Sequence, residues 1–194
     1  MPTLLELASE ANGYVTSRQA AESGIPRREI AKAVAEERLV QVDRGLYALP
    51  GVWEDPYLVA QHRFSRGVFS DDTALFLHGM TDRAPFSLTM TFPRAYNASG
   101  AREAGIACRT CADDVFELGL CELETPNGNT VRAYDLERTL CDIVRGQRIV
   151  DAQLVTPAMQ TYARRPNRNP AKLMRFAKEL GVEKKTRAYL EVLL

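Results

Sequence analysis

The chain has 194 residues, of which 45% are hydrophobic and 26% charged, and its formal net charge at pH 7 is zero. This composition excludes a disordered chain. No apolar run approaches the roughly 18 residues that span a bilayer, and the start, MPTLLELASE, lacks the basic segment of a signal peptide. We therefore expect a cytoplasmic protein without membrane association, built from a small domain followed by a larger one.

Charge is distributed unevenly along the chain. The net charge is −1 in residues 1–50, −5 in residues 51–159 and +6 in residues 160–194. The basic residues of the last segment are Arg164, Arg165, Arg168, Lys172, Arg175, Lys178, Lys184, Lys185 and Arg187. We interpret them as the solvated outer faces of amphipathic helices. The alternative is a surface for an acidic partner or for DNA.

Residues 14–50 predict a winged helix-turn-helix. Thr16 or Ser17 offers a hydroxyl cap for a first helix, which Gly24 ends. Pro26 suits the first position of a second helix, because its missing N–H costs nothing there. Two short helices joined by a glycine-containing turn match the helix-turn-helix outline.

A two-stranded ribbon follows the second helix, which we expect to end near Glu37. Residues 39–42 and 46–49, LVQV and LYAL, alternate as strands do, and Asp43-Arg44-Gly45 forms the turn between them. The ribbon suits a wing that lies along a phosphate backbone, with Arg44 at its tip.

The second helix of such a module enters the major groove with its N-terminal residues nearest the bases. Arg27 and Arg28 hold that position here. We predict six DNA-binding residues at the starts of the two helices, one turn along the second helix and at the wing tip: Ser17, Arg18, Arg27, Arg28, Lys32 and Arg44. The alternative is a merely solvated face, since Glu29, Glu36 and Glu37 lie beside these residues.

The acidic residues limit the predicted affinity for double-stranded DNA. One copy with about four or five phosphate contacts would bind weakly and lose affinity steeply with salt. We therefore expect a dimer, or two copies binding cooperatively, on an inverted repeat.

Residues 51–194 predict a second domain. A helix begins at Asp55-Pro56, and Val68-Phe69-Ser70 is a brief strand. Five further runs of strand type follow within residues 67–134: SLTMTF, GIACRT, VFELG, CELET and VRAY. Helices occupy residues 135–194, one of them opened by Asn169-Pro170. Asp71 or Asp72 is expected to cap a short helix, TALFLHG. The predicted fold class is α+β, with an N-terminal winged helix-turn-helix followed by a mixed, mainly antiparallel sheet domain with C-terminal helices.

The segment DLERTLCDIVRG reads as an amphipathic helix capped by Asp135. Arg138 and Asp142 form an i,i+4 pair, expected on an exposed face, and Glu137 favours the positive helix start. We interpret these residues as helix architecture. The alternative is that Asp135, Glu137, Arg138 and Asp142 form a surface for a partner or for the other domain.

Four cysteines raise the question of a metal site: Cys108, Cys111, Cys121 and Cys141. Cys108 and Cys111 form a C-x-x-C, but no second pair follows at zinc-ribbon spacing. We interpret the cysteines as small apolar side chains in strands and predict no metal. The alternative is that Cys108, Cys111 and Cys121 gather around zinc.

Catalytic motifs are weak in this sequence. It contains no phosphate-cradling glycine loop, no H-E-x-x-H and no G-x-S-x-G. Nothing in the local sequence places Cys141 beside His62 or His78. Asp71-Asp72 and Asp113-Asp114 suit a nucleotidyl-transfer metal site, but such pairs are more often helix caps and turn residues. We predict no enzymatic activity and no cofactor.

Residues 13–47, with VTSRQAAESGIPRREI and LVQVDRGLYAL, resemble the N-terminal domain of AbiEi antitoxins of type IV toxin–antitoxin systems. The resemblance continues in SDDTALFLHGMTDRAP, LTMTFP and YDLERTLCDIVR, so it covers most of the chain. It implies that residues 1–50 bind inverted repeats in the protein's own promoter through the six predicted residues and repress the operon. It implies that residues 51–194 counteract a nucleotidyltransferase toxin, as in phage resistance by abortive infection, without a stable complex. The antitoxin surface would then include Asp135, Glu137, Arg138 and Asp142. The alternative is a winged-helix transcriptional regulator with a ligand-binding or dimerising C-terminal domain.

Overall fold

The computed structural model describes residues 2–146 and 152–193, which form two compact units. The N-terminal unit contains residues 2–65 together with 124–130. The C-terminal unit contains residues 66–123 and the described residues from 131 onward. Both units combine helices with a β-sheet, which confirms the predicted α+β class.

The N-terminal unit has the element order of a winged helix. Its elements are α1 (Leu4–Glu10), β1 (Tyr14–Thr16), α2 (Ser17–Glu22), α3 (Arg27–Ala35), β2 (Val40–Asp43), β3 (Leu46–Ala48) and α4 (Pro56–Arg63). The sheet has the strand order β1-β3-β2, and both of its pairings are antiparallel. The sequence did not reveal β1, because three residues are too few to show a period of two.

Two apolar clusters hold the winged helix together, the smaller one around Tyr14, Leu46 and Ala48. The larger one packs the first three helices. The cluster contains Leu4, Ala8, Val15, Ala20, Ile30, Ala33 and Leu39. Thr16 caps α2 in a capping box with Gln19, so Ser17 is the first helical residue. Gly24, with a φ of +75°, makes the sharp turn into α3, and Pro26 stands one position earlier than predicted, as the residue before the helix.

The C-terminal unit places helices against a five-stranded mixed sheet. Its elements are β4 (Val68–Phe69), α5 (Asp71–Leu77), β5 (Thr89–Pro93), α6 (Ser99–Glu103), β6 (Ala107–Cys111), α7 (Asp113–Phe116), β7 (Leu120–Glu124), β8 (Thr130–Tyr134), α8 (Leu136–Arg145), α9 (Ala152–Arg164), α10 (Pro170–Glu179) and α11 (Glu183–Leu193). The strand order is β6-β5-β4-β8-β7. β4 runs antiparallel to β5 and parallel to β8, and β5 runs parallel to β6.

Two of the short elements differ from the sequence predictions. The run VFELG, predicted as a strand, lies at the end of α7 and in the turn that follows, since Asp113 and Asp114 favour the first turn of a helix. Neither Asp71 nor Asp72 caps α5, because both lie inside that helix and Ser70 stands at the capping position. The predicted helix starts at Asp55 and Asp135 are confirmed, and each side chain accepts a hydrogen bond from the backbone of its helix. Asn169 caps α10 in the same way.

The main core of the C-terminal unit lies between α8 and the last three helices. α8 contributes Leu140, Cys141, Ile143 and Val144, and α9 and α10 cover them with residues that include Tyr162 and Leu173. In the described part of the chain, no helix has the length and apolar character needed to cross a membrane.

Candidate nucleic-acid interface

Three of the six predicted DNA-binding residues line one cleft in the N-terminal unit. Ser17 from the start of α2, Arg27 from the first turn of α3 and Arg44 from the wing tip meet there. The rest of its wall is small or apolar except for Gln41 and Tyr47, with Ala31 and Ala35 on the α3 side. The cleft therefore lies between the predicted recognition helix and the wing, where a winged helix meets DNA.

A backbone contact fixes the wing turn beside α2. The N–H of Ser17 donates to the carbonyl oxygen of Gly45 at 2.9 Å. Gly45 has a φ of +76°, and a Cβ at this position would lie 3.5 Å from the Ser17 hydroxyl oxygen. Glycine thus satisfies the turn's left-handed backbone, while a Cβ would make only an ordinary contact with Ser17.

Arg27 and Arg44 have exposed side chains, and within the described part of the chain neither guanidinium forms an ion pair. Their charges are therefore not compensated by neighbouring carboxylates. Two unpaired guanidinium groups on one cleft provide donors for phosphate oxygens or for guanine edges.

The other three predicted residues are exposed but paired with glutamates. Arg18 contacts Glu22 at 2.8 Å, Arg28 contacts Glu29 at 3.8 Å, and Lys32 contacts Glu36 at 4.0 Å. Such surface pairs contribute only about 0–1 kcal/mol, so a phosphate can replace the glutamate at small cost. Arg18 lines a second depression next to the cleft, together with Ser17 and Arg27.

The wing is anchored to α4 by two side chains that the sequence analysis missed. Arg63 holds Asp43 bidentately, with Nε at 2.7 Å and Nη2 at 2.9 Å from the two carboxylate oxygens. This pairing lowers the pKa of Asp43. The His62 Nε2 lies 3.1 Å from the carbonyl oxygen of Arg44. The predicted domain ended before α4, and no local pattern signals these contacts.

The buried carboxylate of Asp55 explains why the N-terminal unit includes residues beyond residue 50. Asp55 Oδ1 accepts the N–H groups of Tyr57 and Leu58, at 3.0 and 3.2 Å. Its Oδ2 accepts the Thr125 hydroxyl at 2.5 Å and the Asn129 amide at 2.8 Å. Residues 124–130 are thereby bound to the start of α4, and all four hydrogen bonds serve a side chain with no exposed surface.

The Arg138–Asp142 pair is buried, so its predicted placement on an exposed face is wrong. Arg138 is 1% exposed, and its Nε donates to Asp142 at 2.8 Å. Its Nη1 donates to the carbonyl oxygens of Val115 and Leu118, and the guanidinium lies 4.1 Å from the centre of the Tyr134 ring. These contacts connect α8 to the end of α7 and to the turn after it, so the Arg138 side chain lies in the interior.

The other two residues of the predicted antitoxin surface are also engaged within the fold. Glu137 is buried and accepts from the Tyr162 hydroxyl at 3.2 Å, with Lys172 Nζ also at 3.2 Å. Asp135 caps α8 and pairs with Lys172 at 2.8 Å, but it remains partly exposed. Asp135 is thus the one of the four candidates that a partner can reach directly, because burial removes Glu137, Arg138 and Asp142 from the surface.

The residues weighed for catalysis do not form a reactive pair among the described residues. Cys141 donates its thiol to the carbonyl oxygen of Leu173, and burial raises its pKa to about 12, so the thiolate is scarce. The His78 Nε2 lies 2.9 Å from the carbonyl oxygen of Tyr134. Asp113 is an exposed residue of α7. Asp71 and Asp72 line a cavity in the C-terminal unit.

All four cysteines are free thiols. In residues 2–146 and 152–193, no three histidine, cysteine, aspartate or glutamate side chains come together in a way that would hold a metal ion. Cys108, proposed as a zinc ligand in the alternative interpretation, instead directs its sulfur toward the carbonyl oxygen of Ile106 at 3.3 Å.

One of three comparisons with known proteins supports the resemblance. Residues 2–50 match the family described as "Transcriptional regulator, AbiEi antitoxin", which confirms the predicted resemblance over that segment. The fold is similar to that of the RV2827C protein from Mycobacterium tuberculosis, with a TM-score of 0.54 and 18% identity over 95% of this chain and 78% of that chain. At this identity the likeness concerns the fold alone. No curated protein matches the sequence.

Proposed function

We propose that this protein is an antitoxin and autorepressor of the AbiEi type, which binds inverted repeats in its own promoter through the winged helix. The observation that carries the proposal is the cleft that brings together Ser17, Arg27 and Arg44. The match of residues 2–50 to AbiEi transcriptional regulators supports it.

The proposed docking follows from the shape of the cleft. α3 has nine residues and is about 13 Å long, enough to lie in a major groove. Arg27 and Arg28 at its start face the base edges, while Ala31 and Ala35 allow close approach and apolar contact with thymine methyl groups. Arg44 reaches the backbone or the adjacent minor groove, and Ser17 donates to a phosphate.

The glutamates beside Arg28 and Lys32 keep each contact surface close to neutral. Binding by one copy therefore depends on few phosphate contacts, so it is weak and is weakened further as the salt concentration rises. Two copies on the two halves of an inverted repeat, as a dimer or cooperatively, provide the affinity that one copy lacks.

The antitoxin role is assigned to the chain after residue 50. We propose that it counteracts a nucleotidyltransferase toxin without a stable complex, as the resemblance in SDDTALFLHGMTDRAP and YDLERTLCDIVR implies. The buried network around Arg138 gives this part a rigid scaffold, and Asp135 lies at its accessible edge.

The DNA-binding proposal is tested with the double variant Arg27→Ala, Arg44→Ala of the full chain. We expect binding to the protein's own upstream DNA to weaken about 30-fold, because two contacts of about 1 kcal/mol each are lost. The measurement is fluorescence anisotropy at fixed salt, with circular dichroism to show an intact fold.

The matched control is Arg38→Ala. Arg38 is an exposed arginine of the same unit, but it pairs with Glu36 and does not line the cleft. Its removal should change affinity less than about twofold. Equal losses in the control and the double variant would assign the effect to overall charge, and unchanged affinity in the double variant would remove the proposed interface.

A further inference from the structure

The cleft between α3 and the wing contains two further polar residues, Gln41 and Tyr47, which are not among the six predicted DNA contacts. Its volume of about 730 Å³ lies in the range that holds a nucleotide-sized group. Its charged lining residues are both arginines, Arg27 and Arg44. The cleft is therefore a positive site within a segment, residues 1–50, whose net charge is −1.

Gln41 and Tyr47 share one face of the wing. They lie directly opposite each other in the antiparallel pair of β2 and β3, and Val15 of β1 lies opposite Tyr47 on the other side. Residues in such a row point to the same face of the sheet. The row passes from the buried Val15 through the half-buried Tyr47 to the exposed Gln41, and so from the core to the open cleft.

A β-bulge follows Gln41 directly. The register of β2 on β3 shifts between Gln41 and Asp43, and Val42 packs on the opposite face of the sheet, against the smaller apolar cluster. Bulges commonly re-aim side chains beside functional sites. Gln41 thus stays on the cleft side of the wing while the chain turns toward its tip.

Both side chains keep hydrogen-bond donors available at the cleft. The Tyr47 ring packs against the larger apolar cluster, and its hydroxyl has no hydrogen-bond partner among the described residues. The Gln41 Nε2 donates only to the carbonyl oxygen of Asp43, at a long 3.4 Å. Since a side-chain amide has two N–H donors, at least one of them remains open.

The proposed docking brings a strand of DNA phosphates into the cleft. A helix in the major groove and a wing tip at the adjacent minor groove lie on the two sides of the phosphate strand that separates these grooves. The cleft lies between α3 and the wing, so this strand passes through it. Phosphate oxygens accept hydrogen bonds from neutral side chains as well as from arginines.

We propose that Gln41 and Tyr47 are further DNA contacts, which donate an amide N–H and a hydroxyl to phosphate oxygens of this strand and fix the register of the wing on the duplex. The proposal rests on the proposed DNA binding and names the part of the DNA that the cleft holds. A neutral donor does not neutralise a phosphate, so it adds affinity without adding salt dependence. This property separates the two residues from the arginines of the same cleft.

Tyr47→Phe removes the hydroxyl and keeps the ring that packs in the core. We expect the affinity of the full chain for its own upstream DNA, measured by fluorescence anisotropy, to fall about threefold to tenfold. The slope of log affinity against log salt concentration should stay unchanged, whereas Arg44→Ala should reduce its magnitude by about one. Because the contact is to the backbone, a shuffled duplex of the same composition should show the same fold loss in Tyr47→Phe.

Gln41→Glu keeps the shape of the side chain and places a carboxylate against the phosphate strand. We expect affinity to fall about tenfold or more, because the two negative charges repel each other. Arg38→Ala changes the net charge by the same single unit outside the cleft and should lower affinity less than about twofold. Circular dichroism shows whether each variant keeps the fold.

The outcomes separate this inference from the proposed function. If the unaltered chain does not bind its upstream DNA, both are overturned. If it binds and either Tyr47→Phe or Gln41→Glu retains full affinity, the phosphate contacts alone are overturned. A loss confined to the upstream sequence, with the shuffled duplex unaffected, would make these residues base readers and would also overturn the assignment to phosphate.

Discussion

At the residue scale, the same sequence pattern has two different consequences in this protein. Arg138–Asp142 and Glu183–Arg187 are both i,i+4 pairs with a contact of 2.8 Å. The first is almost fully buried, whereas Arg187 keeps 56% of its side-chain surface exposed. Spacing alone predicts tenths of a kcal/mol for either pair, so burial decides which of them matters.

We therefore predict that Arg138→Met destabilises the protein by about 3–5 kcal/mol, because it leaves Asp142 as an uncompensated buried charge. It also removes the donors to the carbonyl oxygens of Val115 and Leu118. Urea unfolding measures the effect, and Arg187→Ala is the control, with an expected loss below about 1 kcal/mol. Equal losses of stability in Arg138→Met and Arg187→Ala would contradict the conclusion that burial makes the first pair the more important one. The double variant Arg138→Met, Asp142→Leu should recover part of the stability.

At the element scale, the wing depends on contacts made outside it. Arg63 and His62 on α4 hold Asp43 and the carbonyl oxygen of Arg44, so α4 sets the position of the wing tip. We predict that Arg63→Ala lowers affinity for the upstream DNA about threefold to tenfold, since a loosened tip must be ordered on binding. Gel-shift titration measures this.

The control for the wing is Arg102→Ala, which removes an exposed basic residue of α6 in the C-terminal unit. It should leave the affinity unchanged. If Arg63→Ala acts through Asp43, then Asp43→Asn should weaken binding by a similar factor, and the double variant should add little. Additive losses would instead indicate that Arg63 contacts DNA itself.

The elements that the sequence predicted correctly are those with a strong local signal. Asp55, Asp135 and Asn169 begin helices because each side chain can accept a backbone N–H at its own helix start. β1 and α7 were missed because three or four residues carry no readable period. The pairing of β1 with β3 is decided by tertiary contact, which no local pattern contains.

The residues of the candidate sites also differ in whether a local sequence pattern predicts them. Exposed basic residues at the start of a helix and at a hairpin tip can be read from the chain, as Arg27 and Arg44 were. The buried ion pair between Asp71 and Arg109 cannot, since the two residues lie 38 positions apart in the sequence and meet only in the folded chain. Local sequence patterns can therefore predict exposed basic surfaces. The contacts of buried polar groups can be recognised only in the folded structure.

At the scale of the whole molecule, the segment 124–130 belongs to the N-terminal unit although the strands on either side of it belong largely to the C-terminal sheet. Thr125 and Asn129 reach Asp55, so a break in the chain at residue 50 does not separate the two units. The proposed DNA-binding and antitoxin activities are therefore tested with point variants of the full chain.

We predict that the variant Arg27→Ala, Arg44→Ala separates the two proposed activities. A reporter driven by the protein's own promoter should lose repression, because the cleft is disabled. Growth under expression of the proposed nucleotidyltransferase toxin should be rescued as well as by the unaltered chain, because the C-terminal unit is unchanged. Arg38→Ala should retain both activities. Loss of rescue in a soluble, folded double variant would mean that neutralisation acts through DNA binding. The absence of a nucleotidyltransferase gene beside this one would favour a winged-helix regulator without an antitoxin role.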